Sequence, residues 1–183
     1  MSLITHTELM DLVRTGVIKN VDPQNVNGAS VDVRLGSVMR VEYRLKSNVD
    51  LSTGETVRMR EVRLNDKGRW TLPPGMFALF ETAETFDLPD DIAIEFKLRS
   101  SMARSGVDHA LAGWGDPGWH NSTLTLELRN NLQYSTLLLA PGLRIGQIVF
   151  WRGDPVPGAA SYRAKGRYNN QSGAQGSKGH GDD

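Results

Sequence analysis

Hydrophobic and polar residues alternate along most of this chain with a period of two, the repeat of a strand that turns one face to a core. In SVDVRLG, Val31, Val33 and Leu35 alternate with Asp32 and Arg34, and Val41, Tyr43 and Leu45 extend the pattern. The clearest case is DIAIEFKL, where Ile92, Ile94, Phe96 and Leu98 share a face. In TLTLELRN, Leu124, Leu126 and Leu128 fall on one side, and Thr123, Thr125, Glu127 and Arg129 on the other. Pro-Gly turns precede two more apolar runs, PPGMFALFE and APGLRIGQIVFW, which resemble each other too loosely to define a repeat array. A helical stripe occurs only near the start: Thr5 or Thr7 as a cap, then Leu9, Leu12 and Val13, with Gly16 as the stop. Many short strands punctuated by glycine and proline predict an all-β barrel or sandwich with one short N-terminal helix.

After Trp151 the composition shifts to Gly, Ser, Asn, Gln and Lys. Such a stretch buries too little apolar surface to order itself and is expected to be mobile unless a ligand pins it. The whole chain, 183 residues, fits one domain. Lysine plus arginine and aspartate plus glutamate each count 21, so bulk charge gives no hold on nucleic acid or membrane. The absence of cysteine excludes disulfides, thiolate nucleophiles and cysteine metal sites. No apolar run reaches transmembrane length, and MSLITHTELMDLV lacks the layout of a signal peptide, so a soluble, cytoplasmic protein is expected. The sequon Asn121-Ser122-Thr123 is accordingly discounted.

Three stretches have the residue types for chemistry. RSSMARSG (99–106) combines arginines, hydroxyls and small residues in a tight turn or one-turn helix, which suits an oxyanion such as phosphate and equally suits a helix cap with exposed arginines. It is not a Walker loop. AGWGDPGW (112–119) reads as a turn with packing tryptophans, or as a wall where a flat ring approaches backbone. The tail GRYNNQSGAQGSKG (166–179) is either a disordered end or a flap that orders over an anion. His6-Thr7-Glu8 matches half of a zinc nucleoside deaminase signature whose cysteine half is missing, so His6 is expected at the surface. His109, His120 and His180 show no ligand spacing, and no nucleophile elbow supports a triad of Ser100, His109 and Asp116.

Taken in order, NGASVDVRLG (27–36), RSSMARSG, AGWGDPGW…TLTLELRN, APGLRIGQ (140–147) and RYNNQSGAQ (167–175) resemble the dCTP deaminases of the dUTPase-like superfamily, from about residue 20 onward. The resemblance implies a distorted β-barrel (β-clip) that assembles as a homotrimer with active sites between subunits. It divides the chain into a nucleotide deaminase domain (1–162) and a flexible C-terminal flap (163–183). A strand face that looks solvated in one subunit can then line an interface pocket. By resemblance, Glu127 is the general base and acid of zinc-independent deamination at cytosine C4. Arg99, Ser100, Ser101 and Arg104, with Met102 and Ala103 between them, bind the triphosphate and orient base and water. Asp116 holds the deoxyribose 3′-hydroxyl. Ala112, Thr125 and Leu126 contact the base, and Gln147, Tyr162, Arg167 and Gln171 complete the clamp. Mg2+ enters with the nucleotide, and no metal is bound by side chains.

Family members that release dUTP carry His-Arg where this chain has Gly113-Trp114; those that continue to dUMP and pyrophosphate carry Gly-aromatic. The resemblance therefore points to the dUMP-forming type, with Gly113 leaving space beside the base and Asp116 near the second water. Alternatives are a deaminase releasing dUTP, a plain dUTPase, or a nucleotide-binding regulator of the same fold. The chain departs from the family pattern at Gly115, where isoleucine or valine is usual, and at Asn121, where glycine is usual. It is also one residue short between Arg104 and Asp116, and Tyr162 lies close to Arg167. These departures surround the base pocket and leave a modified cytosine nucleotide open as substrate.

Overall fold

The computed structural model describes residues 1–43 and 48–179; Leu45 and His180 lie outside the described residues. The expected helix is α1 (His6–Arg14), with Leu9 and Leu12 buried and Gly16 left-handed (φ 81°) just beyond its end. Thr5 caps it through its backbone, which accepts from the Leu9 amide, and not through its hydroxyl. Everything else is mainly strand. In chain order these are β1 (Ser2–Leu3), β2 (Ile18–Lys19), β3 (Val31–Glu42), β4 (Met59–Glu61) and β5 (Trp70–Leu72). There follow β6 (Phe77–Thr82), β7 (Thr85–Phe86), β8 (Ile92–Leu98), β9 (Val107–His109) and β10 (Trp114–Gly115). The last three are β11 (Thr125–Asn130), β12 (Leu137–Leu139) and β13 (Arg144–Arg152). One-turn helices α2 (Ser100–Arg104) and α3 (Tyr162–Lys165) complete the set.

Among the described residues, nine strands form one antiparallel sheet along the path β10-β8-β13-β3-β6-β11-β9, with β1 on β13 and β4 on β3. The two ends of this path, β9 and β10, are consecutive in the chain and joined by residues 110–113 alone. The sheet therefore curls until a four-residue link spans its edges, the barrel-like closure the alternation predicts. Register shifts between Leu35 and Met39 and between Arg144 and Gly146 add local twist. The inward residues of the predicted strands are buried, including Val31, Val33, Leu35, Ile92, Ile94, Phe96, Leu126 and Leu128. Asp32 breaks the pattern. It is also buried, because Asn27, Arg99 and Arg144 cover it and supply its polar partners. Among the described residues no helix is long and apolar enough to cross a membrane.

The C-terminal stretch departs most from expectation. Its described part is folded against the barrel, with Ser161 and Ala174 buried. The expected boundary at residue 162 falls inside α3. The stretch lacks large aliphatic residues, but the barrel offers it polar partners instead: the Trp119 indole donates to the Tyr168 carbonyl (2.8 Å), and the Thr123 amide to that of Gln171 (3.1 Å). Order here comes from hydrogen bonds across the chain, which local composition does not report.

Candidate active site

A cavity of about 460 Å³ opens between β11, the turn after β10, the segment around residues 51–59 and the C-terminal stretch. It brings together Ala112, Trp114, Asp116, Thr125, Glu127, Tyr162 and Gln171, residues drawn from three separate parts of the sequence. The alternation of TLTLEL explains the floor: Leu126 and Leu128 enter the core, so Thr125 and Glu127 must face the opposite side. Leu126 contributes only its backbone on that side.

Glu127 is one of the two carboxylates that line this cavity. Its side chain is one-quarter exposed (24%), yet Oε2 is buried and has no hydrogen-bond partner. The nearest polar atom opposite is His109 Nε2, at 3.5 Å. His109 lies on β9, is itself buried, and accepts the Leu111 amide on Nδ1 (3.1 Å). In the neutral ring the proton therefore sits on Nε2, close to the carboxylate but without a hydrogen bond to it. Phe96 packs on the imidazole, ring centroids 4.6 Å apart. His109 makes these contacts and none with Ser100 or Asp116, so no triad forms. Spacing alone missed His109. The signal available was its position two residues after Val107, on the inward face of a strand.

The Trp114 indole donates to Asp116 Oδ1 at 2.8 Å and fixes that carboxylate on an exposed turn. Burial pushes the Tyr162 phenol above its ordinary range, with the Asp116 charge adding to the shift, so the hydroxyl stays a donor. Tyr168 and Gln175, both within the tail stretch read as a flap, also line the cavity. Asn121 takes a left-handed backbone (φ 47°), a conformation that glycine adopts freely and asparagine tolerates.

Gly113 requires a correction. A Cβ there would lie 2.5 Å from Phe96 Cβ, so its missing side chain makes room for Phe96 and leaves no space beside a base. Gly115 is likewise packed tight. A Cβ would meet Ile94 Cγ1 at 2.6 Å and Trp119 at 3.2 Å, so the turn is filled and not loosened.

The other expected residues stand apart from the cavity. Arg99 caps α2 and pairs with buried Asp32 at 3.2 Å; Ser100, Ser101, Ala103 and Arg104 on α2 are exposed, and Met102 packs on the core. Gln147 faces the same region, accepting the Ser30 hydroxyl at 2.9 Å. Arg167 is turned to the Gly179 and Lys178 carbonyls (2.7 and 2.9 Å). The cavity lining accordingly holds two carboxylates, Asp116 and Glu127, and, among the described residues, no lysine or arginine. No group of described side chains is arranged to hold a metal ion.

Residues 3–153 match the model of the dCTP deaminase-like family. The chain belongs to that family. Among its curated relatives is the dUMP-forming dCTP deaminase of Coprothermobacter proteolyticus, 32% identical over 90% of this chain and 88% of the relative. Those of Methanoculleus marisnigri and Dictyoglomus turgidum are 34% and 36% identical, covering 92% and 86% of this chain and 90% and 82% of theirs. The 2′-deoxycytidine 5′-triphosphate deaminase of Agrobacterium tumefaciens has a similar fold (TM-score 0.64, 22% identity, 82% of this chain), although this chain spans about half (48%) of its length. The dCTP deaminase-like match ends at residue 153, so the cavity roof formed by Tyr162, Gln171 and their neighbours lies outside it.

Proposed function

We propose that this cavity deaminates dCTP and then cleaves the product to dUMP and pyrophosphate. The observation that carries the reading is the buried, unpartnered Glu127 Oε2 in a cavity of nucleotide size. Glu127 takes a proton from a water that attacks C4 of cytosine, forming the C4–O bond. It passes that proton to N3, then moves the proton of the new C4 hydroxyl to the exocyclic nitrogen; the C4–N bond breaks, ammonia leaves and dUTP remains. The His109 Nε2 proton, on the far side of the carboxylate, steadies its charge between these transfers. In the second step, water beside Asp116 attacks the α-phosphorus and the bond to the β-phosphate oxygen breaks, releasing pyrophosphate. The names of the relatives support both steps together.

A triphosphate carries several negative charges, and the lining opposes them with two carboxylates and no cation. The donors suited to phosphate, Arg99, Ser100, Ser101 and Arg104, sit with Gln147 elsewhere on the same subunit. We therefore propose a homotrimer in which each cavity receives the α2 segment of a neighbouring copy, and the nucleotide arrives as its Mg2+ complex. The experiment is to incubate the protein with dCTP and Mg2+, quantify ammonia, and separate dUTP, dUMP and dCMP. Ammonia in step with dUMP is the expected result. Accumulated dUTP that is never cleaved overturns the second step, and no ammonia overturns the first.

A further inference from the structure

Glu81 is a buried carboxylate that the deamination chemistry does not use. It lies on β6 directly opposite Thr125 of β11, so the two side chains share a sheet face with Glu127, two residues further on. Glu81 is 4% exposed, and among the described residues no lysine or arginine pairs with it. Backbone amides hold it instead. Oε1 accepts from Ser37 (2.7 Å) and Val38 (2.9 Å), where β3 changes register, and Oε2 accepts from Ala174 (3.1 Å). Gly36 has no side chain because the Glu81 carboxylate occupies that space. Burial pushes the carboxyl above its ordinary range while the three amides oppose the shift, so losing one amide leaves a buried charge under-satisfied.

The Ala174 amide belongs to the cavity roof. Ala174 is fully buried after left-handed Gly173 (φ 75°), and the next amide, of Gln175, donates to Thr125 Oγ1 at 3.1 Å. Among the described residues, the hydrogen bonds that the chain from Ser172 onward makes to the barrel go to Glu81 and Thr125; the others stay within the C-terminal stretch. Gln175, Gly176 and Ser177 then line the cavity.

We propose that Glu81 is a positioning residue: its carboxylate, shared between the β3 bend and the Ala174 amide, seats the C-terminal segment over the cavity before any nucleotide binds. The proposal rests on the deaminase reading only for the identity of the substrate. In Glu81→Gln the less costly orientation keeps the oxygen on the Ser37 and Val38 amides and turns the NH2 toward the Ala174 N–H, so donor meets donor there. A lost hydrogen bond to a charged group corresponds to roughly a tenfold change or more in the closed-to-open equilibrium.

The test is hydrogen exchange on the full-length protein without nucleotide. Glu81→Gln is expected to speed exchange of the 172–177 amides about tenfold or more while the β8 amides keep their protection. Ala174→Pro removes the same hydrogen bond from the other end and leaves Glu81 with its β3 amides in place. It should loosen 175–177 equally, and the double variant should be no worse than either single one. With dCTP, KM should rise only as far as the closed fraction falls, a smaller change than in exchange, with kcat changed less. Unchanged exchange at 172–177 in Glu81→Gln, or additive effects in the double variant, overturns the proposal. A chain that fails to deaminate dCTP but shows the exchange result overturns the deaminase reading alone.

Discussion

Replacing Gly113 with alanine adds one methyl group at the point where β8 and the link between the sheet edges touch. The new Cβ would stand 2.5 Å from Phe96 Cβ, 3.3 Å from its Cα and 3.4 Å from its Cγ. Relaxed carbon contacts lie at about 3.5–4 Å, so the closest one is short by roughly 1 Å. Relief by backbone movement is opposed by the Phe96 amide, which donates to the Gly113 carbonyl at 2.7 Å, and by the pairing of Trp114 with Glu95. Relief by the Phe96 ring is opposed by Gly146, whose missing side chain is also filled by that ring, and by His109. Overpacking of this kind costs about 1–3 kcal/mol. For a chain of this length that lowers the melting temperature by roughly 2–12 °C. Calorimetry of both proteins at one fixed concentration measures it. Deamination should weaken too, since a displaced Phe96 carries His109 away from Glu127. In a Phe96→Gly background, which removes the Cβ it would strike, the same alanine should cost less. A melting temperature within about 1 °C of the wild type would refute the packing argument.

Glu127→Gln keeps the shape of the side chain and removes its proton-transfer capacity, so deamination should fall by about 10²–10⁴ while nucleotide binding by calorimetry persists. Truncation after Arg163 removes Tyr168, Gln171 and the Ala174 amide from the cavity roof. The sedimentation coefficient should still report the same assembly, with activity lost. Glu84 is fully buried; burial pushes its carboxyl above the ordinary range, against the amide and guanidinium of Arg34. The folded pKa then exceeds the unfolded one, so the contribution of this group is greatest at low pH and is lost as pH rises through the folded value. Urea midpoints of the wild type should therefore fall relative to Glu84→Gln as pH rises above the ordinary carboxylate range, and a constant difference would contradict this.

The strands were legible because period-two alternation reports directly on which face is buried, and Ile92–Phe96 and Leu124–Leu128 follow it. Alternation does not report what covers the other face. Asp32 reads as solvent-facing yet is buried under groups that arrive from residues 27, 99 and 144. Glu127 was singled out through family resemblance; His109 comes within 3.5 Å of it through the pairing of β9 with β11, a contact between strands that spacing along the chain does not encode. Gly113 was misread because a glycine in a sequence looks like space, and the side chain filling it comes from another strand. The tail was misread for a related reason: its order depends on acceptors and donors in Glu81, Trp119 and Thr123, not on apolar residues of its own.

The link at residues 110–113 does two jobs at once. It bridges the two edges of the sheet, and it carries Leu111 in a left-handed conformation (φ 62°) whose amide sets the His109 tautomer beside Glu127. Adding or deleting a residue there would re-space the closure of the barrel and re-aim the imidazole together. Loop length, the usual route by which enzymes on one scaffold acquire new substrates, is thus mechanically tied to folding at this place. Substrate choice is therefore more readily altered by replacing side chains on this link, or by changing the segment that roofs the cavity, than by changing the number of residues between the two edges.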